Sequence, residues 1–198
     1  WIRALAFAQG DQRILASGAV SNQGLPAQIV EWDLDSGKEL GRWEGSCFTQ
    51  SPSGALAFTD AKQITVKDAP PGTAIRQLPA RGEGVMGLAF SKNEKILAVA
   101  GQGSAAELWD LSSNPPARTY RASRLGSVRD VAFLPDGRLT AAGDRGICLW
   151  EASGNEHLIQ DFEGSPPRIL VTFPDGSRLA SIGSDSWLYV WDIAPRKE

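Results

Sequence analysis

Four tryptophan–acid dipeptides, Trp32-Asp33, Trp109-Asp110, Trp150-Glu151 and Trp191-Asp192, constrain this chain more than any other feature. The last two intervals are 41 residues each, and the first is 77, close to twice that. A fixed period of this length means one supersecondary unit copied along the chain, each copy burying its apolar face only against a neighbour. The double interval predicts a degenerate copy between Trp32 and Trp109. Ile64-Thr65-Val66-Lys67-Asp68 supplies it, with the shape of Leu188-Tyr189-Val190-Trp191-Asp192 and Lys67 in the tryptophan place. Phe7, Phe48, Phe90, Phe133 and Phe173 set the same register from the other end of the unit, each followed six to eight residues later by Leu15, Leu56, Leu97, Leu139 and Leu179. Five copies therefore fill the sequence, at about 1–40, 41–78, 79–120, 121–160 and 161–198. No linker or low-complexity stretch divides them, so residues 1–198 read as one domain.

Each copy reads as short strands separated by turn chemistry. In the fourth, Val128 to Phe133 alternates apolar with polar and runs into Pro135-Asp136-Gly137, a tight-turn tripeptide. Arg138 to Ala142 and Ile147 to Trp150 follow, split by Gly143-Asp144-Arg145-Gly146, and a fourth strand spans His157 to Phe162. Strands of five or six residues with turns every 8–12 indicate an all-β chain, and the 41-residue period selects a β-propeller of four-stranded antiparallel blades. Residues one and three before each tryptophan place are apolar in copies two to five: Val66 and Ile64, Leu108 and Ala106, Leu149 and Ile147, Val190 and Leu188. In the first, Glu31 interrupts the pattern.

Composition narrows the chemistry. A net charge of −3 argues against nucleic-acid binding through bulk charge. No run of about 18 apolar residues is present to span a bilayer as a helix. With no targeting signal visible, the expected location is cytoplasmic. Cys47 and Cys148 form no CxxC pair, and the single histidine, His157, excludes sites needing two. No cofactor or metal is expected.

The strings "FPDGSRLASIGSDSWLYVWDI" and "FLPDGRLTAAGDRGICLWEA", with "EWDLDSGK" and "ELWDL" earlier, resemble the WD40-repeat family across essentially all of residues 1–198. The departures are specific. The Gly-His pair that precedes the first strand of a blade in that family is absent from all five copies, so the Asp-His-Ser/Thr-Trp relay inside a blade is not expected. Asp144 and Asp185 match the family's turn aspartate, and Asp60 nearly does. Copies one to four show four strands each, while the fifth stops after its third. With the chain starting at Trp1, this fits part of a larger ring, seven blades being the family's usual number. The other reading is a five-unit assembly that takes its closing edge from another chain by self-association.

The resemblance implies a non-catalytic scaffold that binds protein or peptide segments on the top face of the propeller. Two alternatives are a sensor or regulatory domain at the C-terminal end of a larger signalling protein, and a propeller hydrolase or lactonase completed by further blades. The position four before each phenylalanine opens the innermost strand at the top face and often contacts partners in the family; Arg3, Glu44, Met86, Arg129 and Ile169 hold it. Arg129 has Arg121 and Arg124 upstream and Arg145 in the next turn, a basic cluster on an acidic chain. Trp187 follows the Ser184-Asp185-Ser186 turn on the expected rim. Arg3, Met86, Arg129, Arg145 and Trp187 are thus the candidate contact residues. Trp32, Trp109, Trp150 and Trp191, with Asp144 and Asp185 in tight turns, are expected to be structural. An insertion around residues 19–26 lengthens a top-face turn of the first copy.

Overall fold

The computed structural model describes residues 2–8, 11–18, 27–60, 63–68, 75–79, 84–101, 103, 105–122, 124–151, 154–161 and 166–193. The insertion at 19–26 lies outside them. The chain falls into two compact units, Trp1–Val85 and Met86–Glu198.

The first unit holds two four-stranded sheets. One is β1 (Ile2–Ala8), β2 (Arg13–Gly18), β3 (Gln28–Asp33) and β4 (Glu39–Glu44), and the other β5 (Cys47–Gln50), β6 (Leu56–Thr59), β7 (Gln63–Lys67) and β8 (Ile75–Pro79). The second unit is built on three sheets. The third comprises β9 (Val85–Phe90), β10 (Ile96–Gly101), β11 (Ala105–Asp110) and β12 (Ala117–Ala122). The fourth comprises β13 (Val128–Phe133), β14 (Leu139–Gly143), β15 (Gly146–Trp150) and β16 (Glu156–Asp161). The fifth has three strands among the described residues, β17 (Pro167–Thr172), β18 (Arg178–Gly183) and β19 (Leu188–Asp192). Within each sheet the strands follow chain order, which is the blade of a β-propeller. The turns form where expected: Gly137 sits at φ +92° and donates its amide to Leu134 O, while Asp136 accepts the amide of Arg138.

The strand register corrects the sequence alignment in three places. The residue facing the tryptophan place is Leu97 for Trp109, Leu139 for Trp150 and Leu179 for Trp191, as expected, and Leu56 for Lys67, but Ile14 rather than Leu15 for Trp32. On the innermost strand the matching residues are Phe7 and Phe133, but Gln50 rather than Phe48 and Thr172 rather than Phe173. The turns joining the first two strands differ in length between copies, so counting from a phenylalanine slips by one or two residues. Glu44 consequently ends the outermost strand β4 and does not open β5.

Packing between blades follows the alternation of the strands. In the second unit Ala98, Ala100 and Ala106 of the third sheet meet Val128, Val131, Leu139, Ala141, Cys148 and Trp150 of the fourth. On the opposite face of the fourth sheet, Ala142, Ile147 and Leu149 meet Leu170, Leu179 and Trp191 of the fifth. In the first unit Leu15 and Ile29 pack with Phe48, Leu56 and Phe58. Glu31, out of pattern in sequence, is held by Arg13 at 3.2 Å. Lys67, in the tryptophan place of the second sheet, lies 4.7 Å from the centre of the Trp43 ring, so a cation–π contact takes the place of the missing indole.

Of the four repeat tryptophans, Trp109 and Trp150 are buried, whereas Trp32 and Trp191 are half-buried. One piece of the hydrogen-bond relay survives: the Trp191 indole donates to Ser181 Oγ at 2.9 Å. The matching residue in the third sheet is Val99, which cannot accept, and the Trp109 indole N–H is buried without an acceptor among the described residues.

Candidate partner-binding face

The innermost strands of three sheets carry a β-bulge at one common position. The pairing slips between Ile2 and Ala4, between Val128 and Asp130, and between Pro167 and Ile169, which leaves Arg3, Arg129 and Arg168 as the extra residue in each. A bulge re-aims the side chain it inserts. The corrected register therefore moves the residue at this place in the fifth copy from Ile169 to Arg168, one residue earlier.

In the second unit these strands are tied together below the bulges. Asp130 accepts the amides of Val131 at 2.9 Å and, across the blade boundary, of Leu170 at 2.7 Å. On the third sheet, a Cβ on Gly87 would fall 2.5 Å from Asp130 Oδ1 and 3.0 Å from its Cα, so only glycine lets β9 approach β13 this closely. Met86, immediately before Gly87, is exposed. Met86, Arg129 and Arg168 are thus placed on three successive innermost strands, next to the Gly87, Asp130 and Leu170 ties.

Arg129 is held in place. Its Nε and Nη2 donate to Asp144 Oδ1 at 2.8 and 2.6 Å, and Asp144 Oδ2 accepts the amide of Ser127 at 3.1 Å. Burial raises the Asp144 carboxyl, but the bonds from Arg129 and Ser127 outweigh it and hold the group below the usual carboxylate range. Asp144 therefore does not serve its own turn, as the sequence suggests for a tight-turn aspartate; it ties the β14–β15 turn to the bulge. Asp185 does act locally, accepting the Trp187 amide at 3.2 Å and the Tyr189 hydroxyl at 2.9 Å.

Arg145, next to Asp144, is exposed, with its amide bound to Leu125 O. Trp187 is 69% exposed in the matching turn of the fifth sheet. Arg121 does not join this group: a Cβ on Gly154, in the β15–β16 connection, would run into its guanidinium. Arg124 is exposed, and its main-chain amide donates to Glu156 at the start of β16. Arg3 has the register of Arg129, and its side chain lies outside the described residues. His157 is exposed on β16, an outermost strand. No group of three or more His, Cys, Asp or Glu suited to a metal ion occurs among the described residues, and no described helix is long and apolar enough to cross a membrane. Arg168 could not be found by counting in sequence, because the bulge that exposes it is visible only in the pairing.

Successive antiparallel blades joined through their faces, with innermost-strand bulges and a tryptophan in the third strand, define a β-propeller repeat protein. Residues 114–151 match the family model for the WD domain, G-beta repeat, and curated proteins similar to the chain are WD-repeat proteins. The chain is 29% identical over 125 residues to WD repeat-containing protein 90 of Homo sapiens, covering 61% of this chain and 7% of that protein. It is 31% identical over 151 residues to WD repeat-containing protein VIP3 of Arabidopsis thaliana, covering 67% of this chain and 47% of that one. Among solved structures, that of the RRP9 WD40 repeats aligns with 98% of this chain and 61% of its own at a TM-score of 0.80 and 17% identity, a likeness of fold. The chain thus spans less than half the length of these two curated relatives.

Proposed function

We propose that the chain is a non-catalytic interaction module that receives a peptide or protein segment across the bulge face of its second unit, with Met86, Arg129, Arg145 and Trp187 as contacts and Arg3 as their counterpart in the first. The observation that carries this reading is Trp187: a large aromatic ring in open solvent, on a turn fixed by Asp185, fits an anchor for a partner. Trp187→Ala is expected to abolish capture of at least one partner that the parent chain retains, with a melting temperature within about 1 °C of the parent, since a surface substitution costs little. Quantitative mass spectrometry of captured proteins, with calorimetry of the same samples, checks both. Unchanged capture by the variant refutes the contact.

A second reading, self-association, rests on two apolar sheet faces. On the fifth sheet Leu188 (66% exposed), Val190 (51%) and Ile182 match in register Ile147, Leu149 and Ala142 of the fourth, the residues that receive a following blade. On the first sheet exposed Ile2, Leu5 and Phe7 match Val128, Val131 and Phe133, which pack on a preceding blade. Each copy therefore offers both halves of one blade interface, the condition for head-to-tail contact. Sedimentation of the 198-residue chain at tens of micromolar is expected to give species heavier than 21.2 kDa, and Leu188→Lys with Val190→Lys to restore the monomer. A monomeric parent chain refutes it.

A further inference from the structure

Building on the interaction reading, we propose that the bulge face of the second unit recognises an anionic side chain of its partner segment, a phosphorylated or carboxylate-bearing residue, through Arg168 and Arg145 beside the fixed guanidinium of Arg129. Five other described arginines are already matched to carboxylates: Arg13 to Glu31, Arg42 to Glu39, Arg76 to Asp68, Arg118 to Glu107 and Arg138 to Asp136. Arg168 and Arg145 are exposed, and neither guanidinium meets a carboxylate among the described residues. On a chain whose net charge is −3, two open cations at one end of adjacent blades are a local reversal of sign.

The acids that would cancel this charge are engaged elsewhere. Asp144 is spent on Arg129 and the Ser127 amide, and Asp185 on Trp187 and Tyr189. Asp130 points both oxygens at main-chain amides between the blades. Arg129 uses two of its five N–H donors on Asp144, and the rest of its side chain remains part-exposed. Three guanidinium groups positioned by bulge and turn suit the planar forks of carboxylate and phosphate, and Trp187 offers an apolar surface on the neighbouring turn.

Fluorescence anisotropy with three labelled peptide pools tests this: one rich in phosphoserine, one in glutamate, and a neutral one with serine and glutamine in their place. The expected result is that at least one anionic pool binds tenfold or more tightly than the neutral pool, weakens as salt rises, and loses at least tenfold in affinity on Arg168→Glu and on Arg145→Glu. Lys92→Glu, in the β9–β10 turn at the other end of its blade, is the control and should change affinity less than twofold. Which anionic pool binds distinguishes phosphate from carboxylate. Equal binding of all three pools, arginine variants within twofold of the parent, or equally tight binding of a mixed-sequence DNA duplex overturns the anionic-peptide proposal. If capture of a partner depends on Trp187 but not on Arg168 or salt, the interaction reading stands and this one falls. If no pool binds and Trp187→Ala leaves capture unchanged, both fall.

Discussion

Trp150→Ala is expected to destabilise the second unit by about 3–5 kcal/mol, the range for truncating a large buried aromatic. Trp150 is 2% exposed and lies where the fourth sheet faces the third, among Ala98, Ala100, Ala106, Val131, Leu139 and Cys148. Its neighbours are mostly alanine and branched aliphatics on paired strands, which cannot close over the gap without breaking register. The matching change at Trp191 should cost less. That ring is half-buried, stacked at 5.7 Å on Tyr189 and bonded to Ser181, on the last described strand of the fifth sheet. Thermal unfolding of both variants against the parent checks the order. A fall of only a degree or two for Trp150→Ala, or a larger fall for Trp191→Ala, would show that the third–fourth blade interface is not the principal core of this unit.

This contrast among the tryptophans marks how far the sequence reaches. Their spacing predicts the number of blades, the strand order and the degenerate copy at Lys67, because period and alternation record which face of each strand is buried. It does not predict that Leu188 and Val190, identical in pattern to Ile147 and Leu149, are exposed: burial depends on whether another blade lies against the face, and alternation is blind to that. The candidate site is legible to a similar depth. Arg129, Arg145 and Trp187 stand where the sequence register puts them, whereas Arg168 and the loss of Arg121 from the cluster depend on bulge position and side-chain reach. Arg129→Glu, the obvious charge reversal from sequence, is a poor probe, since it would set a second carboxylate against Asp144 and disturb the tie to the β14–β15 turn. Arg168 is the better one, because its guanidinium meets no described carboxylate.

Asp130 gives the fold a dependence on pH opposite in sign to that of an ordinary ion-paired carboxylate. It is half-buried between innermost strands, and desolvation there raises its pKa from 3.8 to about 6, against the opposing pull of the Leu170 and Val131 amides. Gly87 of β9 and the Leu170 main chain of β17 are what its oxygens meet, and the adjacent Arg129 is bound to Asp144. Between pH 3.8 and 6 the folded state keeps a proton that the unfolded chain has lost, so stability is greatest at the acidic end of this window. It falls as pH rises through it and levels off above about 6. The full span corresponds to about 3 kcal/mol, of which about 1–1.5 kcal/mol should appear between pH 7.5 and pH 5. Asp33, Asp110, Asp144 and Asp175 are all held below 3.8, and Glu39 below 4.5, so what they contribute is lost only at lower pH and leaves the interval clear. The expected result is a melting temperature higher at pH 5 than at pH 7.5 for the parent chain, and a difference near zero for Asp130→Asn. Asparagine retains one acceptor for the two amides, so the variant's absolute stability also carries the loss of one bond, and the pH difference is the quantity to compare. Parallel profiles for parent and variant between pH 5 and 7.5 would mean that Asp130 titrates as it does in water, and that β13 and β17 are not joined through a desolvated carboxylate.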